Sequence, residues 1–332
     1  VEVSGACPAT GPYILAGNHS GFIEVALMVA WGPRGLELLG SGDVPLEPRF
    51  AKIAAWYGFI PVNRGNLDRA ALAACMDALG KGGALGIFPE GGIWEERESA
   101  AQKGVSWLAM KAGVPVVPVS FGGLSEAARA RRTFRRPRLT VRFGEPLPPP
   151  PPGSGREALD AHAALVMAAI RGGVPPEFRA VLARPVEERF SLRVEAGDSV
   201  REPPHGDALA RLLFAPVLVR TFARNLGLRV EALARPDLRA GGRDFALAAS
   251  EILRYLREVN RHFFDYRFGP DIGARVKAAL EELEELGNEA GDATIALRAD
   301  RRWRMAGDEA ESHEWLPPGN AGGGPGAARR EP

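Results

Sequence analysis

Cysteine is scarce in this chain of 332 residues, which contains only Cys7 and Cys75. Neither has a CxxC partner or a spacing typical of metal ligands. We therefore expect two reduced thiols in a cytoplasmic protein and no metal centre built on them.

An excess of charge of one sign is also missing, because the formal net charge is +1. Bulk charge therefore gives no argument for nucleic acid as a partner. The longest apolar run, residues 25–31, is far shorter than the roughly 20 residues that a membrane-spanning helix needs, and no signal-peptide pattern is present. Because the chain starts at Val1 and its first residues resemble a strand, we expect that upstream sequence is missing, and a membrane anchor could have been lost with it.

The composition that is present is typical of a folded protein, with 45% hydrophobic and 25% charged residues. Between residues 13 and 144, short apolar strands alternate with helical patterns, which predicts an α/β fold with a mostly parallel mixed sheet flanked by helices. After a proline-rich stretch and one more helix, amphipathic helical patterns dominate and strand signals are few. We predict a first domain over residues 1–171, a mainly helical region over 185–316 and a disordered tail over 317–332.

The first candidate for chemistry is His19, in a turn directly after a predicted strand and before a predicted helix. Glu24 follows it by five positions, an offset that places two side chains about 140° apart on one continuous helix. The two can meet only if His19 lies in the turn and Glu24 in the first helical turn. The carboxylate would then accept one imidazole N–H and leave the other nitrogen as a base. The alternatives are a histidine that is only a polar surface group and a glutamate that only complements the helix dipole.

Three further blocks also follow predicted strands or contain one. Arg64 ends a short apolar strand, where an arginine can bind a phosphate in bidentate fashion or simply be solvated. Glu90 is presented by a tight Pro-Glu-Gly turn with Gly91, a common turn type. The fourth block is a valine-rich strand interrupted by Pro115 and Pro118, which by itself indicates an edge or irregular strand.

In order, these blocks read NHSGFIE, GFIPVNR, FPEGG and VPVVPVS. Together they resemble the four motif blocks of the glycerolphosphate and lysophospholipid acyltransferase superfamily, over roughly residues 3–171. The resemblance implies an α/β acyltransferase domain that moves a fatty acyl group from acyl-CoA or acyl-carrier protein to a hydroxyl of a lysophosphatidic-acid-like acceptor. It implies no metal and no resident cofactor, because the acyl thioester is a co-substrate.

The resemblance also implies roles for individual residues. His19 would be the general base, and Glu24 would orient it and stabilise its charge. Arg64 would bind the phosphate of the acceptor. The remaining residues expected at the substrate are Asn18, Ser20, Glu90 and Gly91.

Three features depart from the family pattern. Glu24 stands where most glycerolipid members have aspartate. Gly92 and Ile93 stand where a small hydroxyl residue and an arginine usually follow, so a phosphate contact is lost. The second half of the chain matches no part of the usual bacterial enzymes. A lipid-binding protein without catalysis and an acyl-thioester hydrolase are therefore the alternatives.

A membrane surface is expected as a further partner. Six arginines crowd one short loop and could lie on anionic lipid, touch the phosphates of CoA, or simply be solvated. The resemblance places the protein in the cytoplasm, peripheral on the inner face of the cytoplasmic membrane. These arginines are Arg129, Arg131, Arg132, Arg135, Arg136 and Arg138.

Overall fold

The computed structural model describes residues 1–19, 23–45, 52, 57, 59–92, 101–124, 136–179, 185–307, 309–316 and 329–330. The chain forms two compact units. The first comprises Val1–Gly42, Ile53–Val62 and Asp68–Leu182, and the second comprises Asp43–Lys52, Asn63–Leu67 and Ala183–Pro332. Within the described residues, no helix is both long enough and apolar enough to cross a bilayer.

The first unit is built on a seven-stranded sheet in the order β1-β7-β6-β2-β5-β3-β4. Among the described strands, five neighbouring pairs are parallel and one pair, β6 with β7, is antiparallel. The predicted mostly parallel mixed sheet is thereby confirmed. The strands are β1 (Glu2–Ser4), β2 (Tyr13–Gly17), β3 (Glu37–Ser41), β4 (Phe59–Val62), β5 (Ala84–Ile87), β6 (Val116–Gly122) and β7 (Thr140–Phe143).

Helices cover both faces of this sheet, which explains why β2, β5 and β6 are buried at every position. One face packs on α2 (Arg69–Gly80), α3 (Gly104–Ala112) and α4 (Arg156–Gly173). The other packs on α1 (Ile23–Trp31). Local signals fix the helix ends: the Asp68 carboxylate accepts from the Ala71 N–H, and Gly113 closes α3 in the left-handed conformation.

Both cysteines are free thiols in the first unit. Burial raises the pKa of Cys75 to about 12, and burial likewise raises the pKa of Cys7 to about 11. The two thiols therefore stay protonated at neutral pH.

The second unit combines helices with an antiparallel sheet in the order β13-β12-β11-β8-β9, with β10 paired to β11. Its strands are β8 (Pro185–Ala196), β9 (Ser199–Arg201), β10 (Arg239–Gly241), β11 (Thr294–Met305), β12 (Ser312–Leu316) and β13 (Arg329–Arg330). Its helices are α5 (Gly206–Leu213), α6 (Pro216–Leu226), α7 (Glu231–Ala234), α8 (Gly242–Glu258), α9 (Phe263–Phe268) and α10 (Pro270–Ala290). Two short 3₁₀ turns, Pro176–Phe178 and Gly227–Val230, complete the described elements.

The predicted helical character of this region is confirmed, and the sheet is an addition that was not predicted. Helices α5 and α6 are separate because Pro216 starts a new helix and cannot continue the old one. The predicted domain limits stay a prediction. Residues 317–328 and 331–332 of the expected disordered tail lie outside the described residues.

Candidate active site

The candidate site lies where β2, β5 and β6 end, here called the carboxyl edge of the first unit's sheet. The three strands are neighbours and parallel, so their carboxyl ends meet at this edge. Asn18 and His19 follow β2, and Phe88 to Glu90 follow β5. In open α/β sheets this edge is where ligands bind.

Asn18 fixes the turn that carries His19. Its side-chain amide donates to the Phe121 carbonyl oxygen at 3.0 Å and accepts from the Phe121 N–H at 2.8 Å. The preceding Gly17 lets the backbone of β2 lie close to the side chains of Phe121 and Met28. A Cβ at this position would lie 2.7 Å from the Phe121 ring and 2.8 Å from Met28 Cε. The amide therefore ties the end of β2 to β6, and its predicted contact with substrate stays a prediction.

His19 and Glu24 are brought together as the spacing required. His19 Nδ1 lies 3.0 Å from Glu24 Oε1, with His19 in the turn and Glu24 in the first turn of α1. The Glu24 carboxylate is fully buried, whereas the His19 side chain is 17% exposed. The positive end of the helix dipole stabilises a negative charge at this position.

Residues from the end of β5 hold His19 from another side. The Glu90 carboxylate accepts from the His19 backbone N–H at 3.1 Å. The imidazole stacks on the Phe88 ring with centroids 4.3 Å apart and planes 22° apart. Gly91, with φ 71°, closes the turn by donating its N–H to the Phe88 carbonyl oxygen. The ring is thus held by a carboxylate, an aromatic face and its own backbone.

The arrangement is suited to proton transfer. An ionised Glu24 accepts from Nδ1–H, which leaves Nε2 of His19 as the proton acceptor. When Nε2 takes a proton, the imidazolium is stabilised by the buried carboxylate beside it. The pair can therefore activate a hydroxyl group or a water molecule.

The other predicted site residues are placed differently. Ser20 lies outside the described residues. Arg64 belongs to the second unit, where its guanidinium pairs with the fully buried Asp43 at 2.9 Å and lies 5.7 Å from the centre of the Phe263 ring. The Asn260 side-chain amide donates to the Arg64 carbonyl oxygen at 2.6 Å. The expected contact of Arg64 with an acceptor phosphate stays a prediction.

Sequence reasoning missed the roles of three residues. Phe88 stands in the FPEGG block, and its position directly after a strand is the signal that could have pointed to the histidine. Phe121 is recruited through its backbone, which leaves no signal in the side chain. Asp43, the partner of Arg64, has no motif around it. Within the described part of the chain, no group of three or more His, Cys, Asp or Glu residues is placed to hold a metal ion.

A histidine oriented by a buried carboxylate at the carboxyl edge of a mostly parallel sheet has the geometry that general acid–base chemistry requires. Residues 1–122 match the family model described as "Acyltransferase". This match agrees with the resemblance of the four sequence blocks to the glycerolphosphate acyltransferase superfamily.

Two curated relatives are both named 1-acyl-sn-glycerol-3-phosphate acyltransferase, chloroplastic. The proteins of Brassica napus and Arabidopsis thaliana are each 26% identical over 117 residues, which is 34% of this chain. The chain spans about a third of the length of these relatives, 33% and 32% respectively. A solved structure, the 1-acyl-sn-glycerophosphate acyltransferase PlsC of Thermotoga maritima, is 20% identical, with a TM-score of 0.38, over 52% of this chain and 69% of its own.

Proposed function

We propose that this protein is an O-acyltransferase that moves a fatty acyl group from acyl-CoA or acyl-carrier protein to a hydroxyl of a lysophosphatidic-acid-like acceptor. The observation that carries the proposal is the 3.0 Å contact between His19 Nδ1 and the buried Glu24 carboxylate. The activity named for the plant relatives supports an acylglycerol phosphate as the acceptor class.

In the proposed reaction, Nε2 of His19 takes the proton of the acceptor hydroxyl as its oxygen attacks the thioester carbonyl carbon. The new C–O bond gives a tetrahedral intermediate, which collapses with breakage of the C–S bond. The leaving thiolate takes the proton from the His19 imidazolium, so the enzyme returns to its starting state. Glu24 stabilises the imidazolium between these steps. Backbone N–H groups near the start of α1 are proposed as donors to the oxyanion.

The remaining proposed roles concern substrate binding and location. Glu90 and Gly91 would shape the acceptor site, Ser20 and Asn18 would lie beside the substrate, and Arg64 would bind the acceptor phosphate. Because a lysophospholipid acceptor resides in a bilayer, we place the protein on a membrane surface, peripheral on the inner face of the cytoplasmic membrane.

The test is acyl transfer from labelled acyl-CoA, and separately from acyl-carrier protein, to lysophosphatidic acid. We expect His19→Ala to lower turnover at least about 10³-fold, since the base is removed. His205→Ala is the matched control, because His205 also pairs with a carboxylate, that of Glu282 at 2.5 Å, but belongs to the second unit. Equal turnover by wild type and His19→Ala would remove His19 from the mechanism.

The acyl-transfer assay, together with a measurement of vesicle binding, separates the two alternatives. Release of CoA at one rate with and without the acceptor would indicate a thioester hydrolase, in which His19 activates water. Binding to vesicles without transfer to any acceptor would indicate a lipid-binding protein without catalysis.

A further inference from the structure

Helix α1 presents an apolar face to its surroundings. Its exposed residues are Ile23, Ala26, Ala30 and Trp31. Ile23 is 36% exposed to solvent and Trp31 is 39% exposed. Ile23, Ala26 and Ala30 are spaced by three and four positions and therefore share one face of the helix. The residues that α1 buries include Glu24, Leu27 and Met28. The polar residue of this helix is thus buried and its outer side is apolar.

The other long helices of the first unit are amphipathic in the usual sense. Helix α2 exposes Arg69 and Asp77, and α4 exposes Arg156 and Asp160. A surface helix normally turns its charged residues outward, and a helix that is apolar all round requires an apolar neighbour on each side. The sheet supplies that neighbour on one side of α1. The outer face therefore indicates a second apolar partner.

The position of this face relates it to the proposed chemistry. Ile23 directly precedes Glu24, the residue that pairs with His19. An apolar phase in contact with the outer side of α1 would therefore lie next to the candidate active site.

Exposed arginines lie shortly after α1 in the sequence and near the sheet edge where α1 begins. Arg34 is exposed three residues after Trp31. Arg136 is exposed just before β7, and because β7 runs antiparallel to β6, its amino end lies at the carboxyl edge, where α1 begins. Basic residues beside an apolar helical face, with a tryptophan at its end, suit the headgroup and acyl boundary of an anionic bilayer.

We propose that the outer face of α1 is the surface through which the first unit contacts an anionic bilayer, with Arg34 and Arg136 at the headgroup phosphates. The significance of this surface for catalysis rests on the proposed function, because a lysophospholipid acceptor would then enter from the membrane beside His19. Binding to lipid itself does not depend on catalysis.

The experiment is co-sedimentation of the full chain with vesicles of phosphatidylglycerol and phosphatidylethanolamine, and with vesicles of phosphatidylcholine alone. We expect binding to the anionic vesicles and at least about tenfold weaker binding by Ala26→Glu and Ala30→Glu, since each places a carboxylate in the apolar face. Ala164→Glu is the matched control, because Ala164 is an exposed alanine within α4, and we expect it to bind as the wild type does. Circular dichroism of each variant verifies its helix content.

Tryptophan fluorescence gives a second readout. Lipids brominated in the acyl chains should quench part of the emission, and Trp31→Phe should lose that part. Failure of the wild type to bind anionic vesicles, or binding of Ala30→Glu at wild-type strength, would overturn the proposal. A dimer in solution that Ala30→Glu separates would assign the face to a second copy of the chain and would overturn it as well.

Acyl transfer measured on the same samples keeps the two proposals apart. Loss of vesicle binding in Ala30→Glu, with no transfer by the wild type, would support the surface and contradict the proposed function. Transfer by the wild type, with unchanged vesicle binding by Ala30→Glu, would support the proposed function and contradict the proposed membrane surface.

Discussion

Glu24 is a charged side chain with no exposure to solvent, which would be unfavourable without compensation. The charge is compensated by the imidazole of His19 at 3.0 Å and by the positive N-terminal end of the α1 dipole. The same burial strengthens the effect of the carboxylate on the imidazolium, because the local dielectric constant is low. The negative charge at this position, more than the hydrogen bond alone, is therefore expected to be needed for turnover.

Glu24→Gln tests this expectation. The amide keeps nearly the same shape but loses the charge, and its NH₂ group can stabilise the wrong tautomer of His19, so we expect kcat to fall by about 10³-fold or more. Glu24→Asp should retain more activity than Glu24→Gln, because it keeps the charge. Glu157→Gln is the control, since Glu157 is an exposed glutamate in the first turn of α4. A kcat for Glu24→Gln within about threefold of the wild type would show that the charge is not used.

Local spacing indicated how His19 and Glu24 can meet, with His19 in the turn and Glu24 in the first turn of α1, and the structure has this arrangement. The contacts of Asn18 with Phe121 and of His19 with Phe88 could not be predicted in the same way. They depend on β2 lying between β5 and β6, and strand order in a sheet is set by long-range pairing. The turn was predictable from the sequence, and the neighbours that hold it were not.

At the scale of elements, α3 and α4 are joined by a histidine that should make folding sensitive to pH. His162 Nε2 lies 3.0 Å from the Pro148 carbonyl oxygen and therefore carries a proton, so Nδ1 accepts from the buried Ser106 hydroxyl at 3.0 Å. Burial lowers the pKa of His162, and the backbone contact with Pro148 opposes that shift without cancelling it.

The unfolded chain therefore binds a proton at His162 at a higher pH than the folded chain does. Stability contributed by neutral His162 is present above the ordinary pKa of about 6.5 and decreases as the pH falls below that value. We expect the free energy of unfolding of the wild type to fall more steeply between pH 7.5 and pH 5 than that of His162→Gln, whose amide can keep both contacts without titrating. Urea unfolding at several pH values measures both slopes. Equal slopes would mean that protonation of His162 is not linked to folding.

The helices and the strands differ in how far their sequence patterns could predict them. Apolar residues recur at helical spacing in α2, α4 and α10, which makes the helical character of these segments predictable from the sequence. The long strands β8 and β11 were missed because they carry many charges: Arg301 pairs with Glu188 and Arg298 with Glu195 across the two strands. Such strands bury few side chains, and their identity depends on antiparallel partners distant in sequence.

At the scale of the whole molecule, the two compact units do not follow the order of the chain. Asp43–Lys52 and Asn63–Leu67 come from the N-terminal part of the sequence but belong to the second unit. There Asp43, Arg64 and Asn260 form one hydrogen-bonded cluster whose carboxylate is fully buried. The motif around Arg64 predicted a phosphate-binding residue at a strand end and gave no sign of Asp43 or Asn260, because these partners come from two other regions of the chain.

Arg64→Met is therefore expected to act on stability as well as on any binding of substrate. It leaves the buried Asp43 carboxylate without the guanidinium 2.9 Å away, a type of loss that costs about 3 to 5 kcal/mol of unfolding free energy. The double variant Asp43→Asn/Arg64→Met removes the stranded charge and should recover part of that loss. Arg138→Met, in an exposed ion pair with Glu2, should cost no more than about 1 kcal/mol. Urea unfolding of the four proteins, wild type included, measures these differences. If Arg64→Met is no less stable than the double variant, Arg64 does not offset the charge of Asp43.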